Sequence, residues 1–227
     1  MVYEVRFYVS TPVITTAQIH LDGILSAVHP AMHNLNGITR QSARRELTAA
    51  PIPVDSAKID GSWVFCCTAS DFDDSAKVFT DKFNKRKDAI DYHYINRRLT
   101  PRSGPGRDRL ETCYGVICEF VRFYASTSDL QELTRICKRV RSIGNLRKMG
   151  YGAVSSFCVA ETELQWSDCL VQSGVSMRNL PARMAIDGHI SRIPVRAPYW
   201  LPDNMEPGIM AGEKCRLADG VWLNEYK

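Results

Sequence analysis

The chain has 227 residues, 44% hydrophobic and 24% charged, with 29 Lys and Arg against 25 Asp and Glu for a net charge of +4. This composition excludes a disordered or collagen-like chain, and the length suffices to bury a core without disulfide or metal staples. No run of about 18 apolar residues occurs, so no membrane-spanning helix is expected.

Residues 2–9 (VYEVRFYV) alternate apolar and polar side chains with the period of a strand. That opening has neither the basic nor the apolar region of a signal peptide, so a cytoplasmic location is expected. In residues 18–28, Ile19, Leu21, Ile24, Leu25 and Val28 fall near one helical face, and Pro30 should end that helix. Residues 30–60 read as polar and irregular loop, and residues 62–69 (SWVFCCTA) as a buried strand.

A long segment, 71–112, follows and carries many basic residues. Residues 113–124 (CYGVICEFVRFY) predict another strand. Ser128 then opens a helix, with Gln131 as its capping-box partner; its apolar positions run from Leu130 to Ile143, and Gly144 closes it. Residues 153–160 (AVSSFCVA) predict a fourth main strand. The order is thus βαββαβ, that of an α+β, ferredoxin-like or RNA-recognition-motif (RRM) domain over residues 1–160. Beyond residue 161, prolines at 181, 194, 198, 202 and 207 break the chain into short extended pieces, with Tyr199 and Trp200 as packing anchors. This proline-rich part, 161–227, reads as an appendage packed on the first domain.

The eight cysteines sit mostly inside apolar strand and helix patterns and form no C-x-x-C, which favours free, buried thiols over a zinc site. Three patches carry the basic residues. The first follows the second helix: GNLRKMGYG, residues 144–152, joins Arg135, Lys138, Arg139 and Arg141 of the helix to Arg147 and Lys148 of the loop, with no acid from Arg135 to Gly152. Gly144, Gly150 and Gly152 permit positive φ and close backbone approach, successive N–H groups in such a turn can cradle anionic oxygens, and Tyr151 can stack on a base. The competing reading is a helix C-cap with a solvated cationic end.

The second patch interleaves Lys82, Lys85, Arg86, Lys87, Arg97, Arg98, Arg102, Arg107 and Arg109 with Phe83, Tyr92, His93 and Tyr94, the combination of phosphate neutralisation and stacking that suits single-stranded nucleic acid. A solvated surface loop is the alternative. The third comprises Arg40, Arg44 and Arg45. Together they favour an RNA-facing surface.

Catalytic signatures are weak. His29 and His33 are spaced by four but separated by Pro30, Asp71, Asp73 and Asp74 read as a solvated turn, and no G-x-S-x-G elbow occurs. Asp22 reads as structural, tied to a basic group. His20, Tyr92 and His93 remain candidates for metal-free RNA cleavage.

HLDGILSA (His20 to Ala27) together with GNLRKMGYG resembles the CRISPR-associated RAMP superfamily, and RIPVRAPYW (Arg192 to Trp200) is similar to its type IV branch, in the effector-complex subunit that caps the 5′ handle of the crRNA. The resemblance runs from Tyr3 to about Gly208. It implies a ferredoxin-like domain whose insertion at 71–112 acts as a thumb on the RNA. It further implies one copy in a ribonucleoprotein complex, bridging backbone subunits and a large subunit. Contact with target DNA near the PAM follows from a position beside the large subunit. The subunit of this branch is non-catalytic and needs no metal or cofactor; the alternative is a metal-independent endoribonuclease that processes the precursor crRNA. Relatives that cut RNA use Tyr, His and Lys, but Tyr92, His93 and Lys87 match no catalytic pattern.

Overall fold

A computed structural model describes residues 1–29, 51–85, 109–199 and 201–226. In chain order its elements are β1 (Val2–Val9), β2 (Val13–Ile14), α1 (Leu21–Val28), β3 (Ser56–Ile59), β4 (Ser62–Phe65), β5 (Asp71–Phe72), β6 (Lys77–Lys85), β7 (Arg109–Ile117), β8 (Phe120–Ser126), α2 (Leu130–Cys137) and β9 (Val154–Glu161). The remainder forms β10 (Val171–Gln172), β11 (Val175–Ser176), β12 (Leu180–Pro181), β13 (Ala185–Ile186), β14 (Ile190–Pro194), β15 (Met205–Ile209), β16 (Arg216–Leu217) and β17 (Trp222–Asn224). The described residues therefore form a sheet-rich α+β structure with two helices.

The main sheet is antiparallel, in the order β5-β8-β1-β9. Because side chains alternate along a strand, Val5 and Phe7 of β1 point with Val121 and Phe123 of β8 to one face. On that face they meet Leu21 and Leu25 of α1 and Leu133 and Ile136 of α2, all fully buried. Each such aliphatic side chain contributes roughly 1.5–3 kcal/mol by leaving water.

Several boundaries depart from the sequence reading. The helix expected over 18–28 starts only at Leu21, because His20 is its N-cap and bridges to Ala69. Part of the stretch read as loop, Ser56–Ile59, is a strand paired with both β4 and β17; its alternation was too short to register. The single strand expected over 113–124 is two. The chain breaks at Cys118 and Glu119, where Asp73 Oδ2 accepts from the N–H of Glu119 at 2.6 Å. The first half, β7, pairs with β6 in a hairpin from Lys77↔Ile117 to Lys85↔Arg109, and only the second half enters the main sheet.

The second helix is displaced by one residue and shortened. Asp129, not Ser128, is the N-cap and accepts from the N–H of Glu132 at 2.9 Å. It ends at Cys137, where Arg139 and Val140 make i to i+3 bonds that tighten and finish the last turn. Val140 and Ile143 stay buried, so their spacing reported the core and not the helix.

The segment after residue 161 does not sit on the surface of a finished core. Leu170, Leu180, Met184, Val195 and Ile209 form a second apolar cluster with Val2, Ala57, Val64 and Cys66 of the N-terminal part. At the far end the Tyr226 N–H bonds Asp55 Oδ1 at 2.8 Å, next to the β17–β3 pairing. All eight cysteines are free; burial pushes the Cys137 thiol up to about 12 and that of half-buried Cys118 to about 11, away from the nucleophilic thiolate. No helix among the described residues is long and apolar enough to cross a membrane.

Candidate nucleic-acid interface

The glycine loop packs against the segment after β1. Its N–H groups at Asn145 and Gly152 donate to the carbonyls of Ile14 and Pro12, at 2.7 and 2.8 Å, and those of Met149 and Gly150 donate within the loop. Four of the nine amides that could form the expected cradle are therefore already used in backbone pairing. The glycines are required for that packing. At Gly144, with φ +86°, a Cβ would lie 2.5 Å from the Ile14 carbonyl oxygen, and at Gly152, with φ +63°, it would lie 1.9 Å from that of Ile143. Gly150 also has positive φ but faces open space. Gly144 does not cap the helix, which ended seven residues earlier.

Tyr151 is half-buried, and its hydroxyl donates to Asp81 Oδ2 at 2.8 Å, tying the loop to the β6–β7 hairpin. That bond holds the Asp81 carboxyl below the usual carboxylate range. Tyr151 thus acts as a strut between two elements through its hydroxyl.

What the loop does build is one wall of a cleft of about 350 Å³. Ile143, Gly144, Asn145 and Arg147 form that wall, and His20, Gly23, Ile24 and Ala27 of the α1 region form the other. A second groove of about 330 Å³ adjoins it, lined by Val28, Arg139, Arg141, Ser142 and Arg147. Ser142 and Arg147 belong to both, so a mainly neutral cleft opens onto a cationic groove.

No ion pair among the described residues neutralises the groove's charge. Lys138, Arg139, Arg141, Arg147 and Lys148 are exposed, and none has an acid within ion-pair distance among the described residues. Arg135, in contrast, is engaged by Glu132 at 2.5 Å. The solvent face of the main sheet differs in the same way: there Arg6 pairs with Glu4 and Arg122 with Asp71, both at 2.5 Å. Unpaired arginines keep their guanidinium forks available to an anion.

The floor of the cleft rests on a buried polar cluster. Asp22 and Arg178 are both fully buried and paired at 3.2 Å. Arg178 also donates to the carbonyls of Phe65, Cys67 and Val195 and to the Tyr199 hydroxyl, which in turn donates to Asp22 Oδ1 at 2.8 Å. Burial opposes the charge on Arg178, but Asp22 and Tyr199 outweigh it and raise the guanidinium above its ordinary value. The basic partner expected for Asp22 thus comes from the C-terminal segment. His20 stacks on Tyr199 with ring centroids 4.6 Å apart. Burial first, and then the Arg178 charge, lower its imidazole to about 4, so it is neutral at physiological pH.

Of the sequence candidates, Arg139, Gly144, Arg147, Lys148, Gly150, Tyr151 and Gly152 converge on this region. Lys85 closes the register of the distant hairpin. Arg40, Arg44, Arg45, Arg86, Tyr92, His93, Arg97, Arg98 and Arg102 lie outside the described residues, as does Trp200. Sequence reasoning passed over Arg178 and Asn179; the mixed stretch QSGVSMRNLPAR around them carries no signal that marks either. Among the described residues no three His, Cys, Asp or Glu side chains gather as a metal site. No protein-family model matches this sequence, and no curated protein aligns with it significantly.

Proposed function

We propose that the protein is a non-catalytic, crRNA-binding subunit of a type IV CRISPR ribonucleoprotein effector complex, holding the 5′ handle of the guide between backbone and large subunits. One observation carries this reading. HLDGILSA and GNLRKMGYG, the two motifs that carry the RAMP resemblance, form opposite walls of a single cleft that opens onto unpaired arginines. Two stretches more than a hundred residues apart thereby share one ligand-sized surface.

The strand order β5-β8-β1-β9, with both helices on one face, supports reading residues 1–160 as a ferredoxin-like RAMP domain. The β6–β7 hairpin supports a thumb-like role for the basic insertion. A guide-holding subunit grips backbone and shape and leaves sequence reading to base pairing; exposed arginines suit that task. In the same reading, target DNA near the PAM comes within reach of the assembled complex.

The test is a gel with purified protein and 5′-labelled repeat RNA in EDTA. The expected result is a shifted, uncut RNA, with the shift abolished by joint charge reversal of Arg139, Arg141 and Arg147. Full binding by that variant, or cleavage of the RNA, overturns the proposal.

A further inference from the structure

The neutral half of the cleft has a chemistry that phosphate binding does not explain. A phosphate site needs cations, and apart from the shared Arg147 these lie in the adjoining groove. The cleft itself has apolar walls at Ile19, Ile24 and Pro194 with amide side chains at Gln18, Asn145 and Asn179. Its volume, about 350 Å³, lies at the lower end of small-ligand sites.

His20 adds an independent observation. It is 6% exposed, lines the cleft, and its Nδ1 has no hydrogen-bond partner among the described residues. A buried polar nitrogen without a partner is costly, and because this one is itself closed to solvent, a turn of the ring toward the cleft is needed for a ligand to relieve that cost. A neutral imidazole carries one N–H and one lone pair, as a nucleobase edge carries both donors and acceptors.

We infer that the cleft between His20 and Asn145 receives a single unstacked nucleobase, whose flanking phosphates lie on Arg147 and Arg141 of the adjoining groove. This rests on the RNA-binding reading above and adds to it a base-sized pocket. The base slides between Ile24 and the glycine loop, its edge meets His20 and the amide of Asn145, and the shared Arg147 marks where sugar–phosphate leaves the cleft. Splaying one base out of a single strand is the usual way proteins hold RNA loops and ends.

The test compares equal-length oligo(A), oligo(C) and oligo(U) with an abasic ribose-phosphate oligomer, using the full chain and fluorescence anisotropy. At least one base-bearing oligomer should bind about ten-fold more tightly than the abasic one, the size of a single base contact. Ala27→Leu, at an exposed position on the cleft wall, should remove that preference and leave abasic binding unchanged. His20→Gln should reduce the preference, and Ala27→Leu keeps the test valid if that variant fails to fold. Equal binding of base-bearing and abasic oligomers overturns the pocket while RNA binding stands. Binding to none of them overturns both.

Discussion

Arg178 Nη2 lies 3.2 Å from Asp22 Oδ2, with neither side chain reaching solvent. The pair joins the helix of the main sheet to the segment after residue 161, and Tyr199 closes a triangle with both. A buried charge left without its partner costs far more than the pair contributes. Asp22→Ala should therefore destabilise the protein by about 3–5 kcal/mol. The double variant Asp22→Leu, Arg178→Met should lose less than either single change. Urea denaturation of the three variants measures the difference, and additive losses would contradict it.

The loop glycines separate into two kinds. Gly150→Ala meets no atom and pays only the left-handed backbone, about 1 kcal/mol. Gly152→Ala adds a collision with the Ile143 carbonyl and should cost roughly 3 kcal/mol. Similar melting points for the two variants would contradict the packing described for this loop.

His20 links stability to pH. Its folded imidazole is lowered from the ordinary 6.5 to about 4, so between those values the unfolded chain binds the proton and the folded chain does not. Stability from this group is complete above pH 6.5 and falls as pH drops toward 4, by about 3 kcal/mol in all. Denaturation midpoints from pH 8 to pH 4 should show this slope, and His20→Gln should flatten it.

Binding to RNA should weaken linearly with the logarithm of salt concentration. Each of Arg139, Arg141 and Arg147 replaced by Gln should reduce that slope by about 0.7 if its guanidinium neutralises one phosphate of a single strand. Arg122→Gln on the sheet's solvent face, where Asp71 already occupies the guanidinium, should leave it unchanged. A titration at four salt concentrations distinguishes the two surfaces.

Much of the fold was legible. Period-two alternation located β1, the stretch AVSSFCVA located β9 to within a residue, and apolar spacing found α1 and α2. The misses have local physical causes. Glu119 is a single charged residue in the phase of Val121 and Phe123, too slight a break to mark the turn that redirects the chain from hairpin to sheet. Val140 and Ile143 kept helical spacing after the helix had ended, because a compact turn can bury them on the same core.

The candidate site was legible in its charge and not in its shape. The acid-free run from Arg135 to Gly152 marked the cationic surface correctly. The same run suggested an open amide cradle and a stacking tyrosine, yet the amides of Asn145 and Gly152 pair with Ile14 and Pro12 and the tyrosine hydroxyl bonds Asp81. Whether a glycine loop opens toward a ligand or closes on its own chain depends on what packs beneath it.

The sequence by itself determined the alternating strands, the amphipathic helices and the unbalanced charge of the glycine loop, because each depends on residues within a few positions of one another. Only the tertiary structure decided that His20 and Asn145 face across one cleft, that Arg178 completes Asp22, and that the chain beyond residue 161 shares a core with Val2 and Val64. Those relationships join residues far apart along the chain, and their strength comes from burial, which no local pattern records.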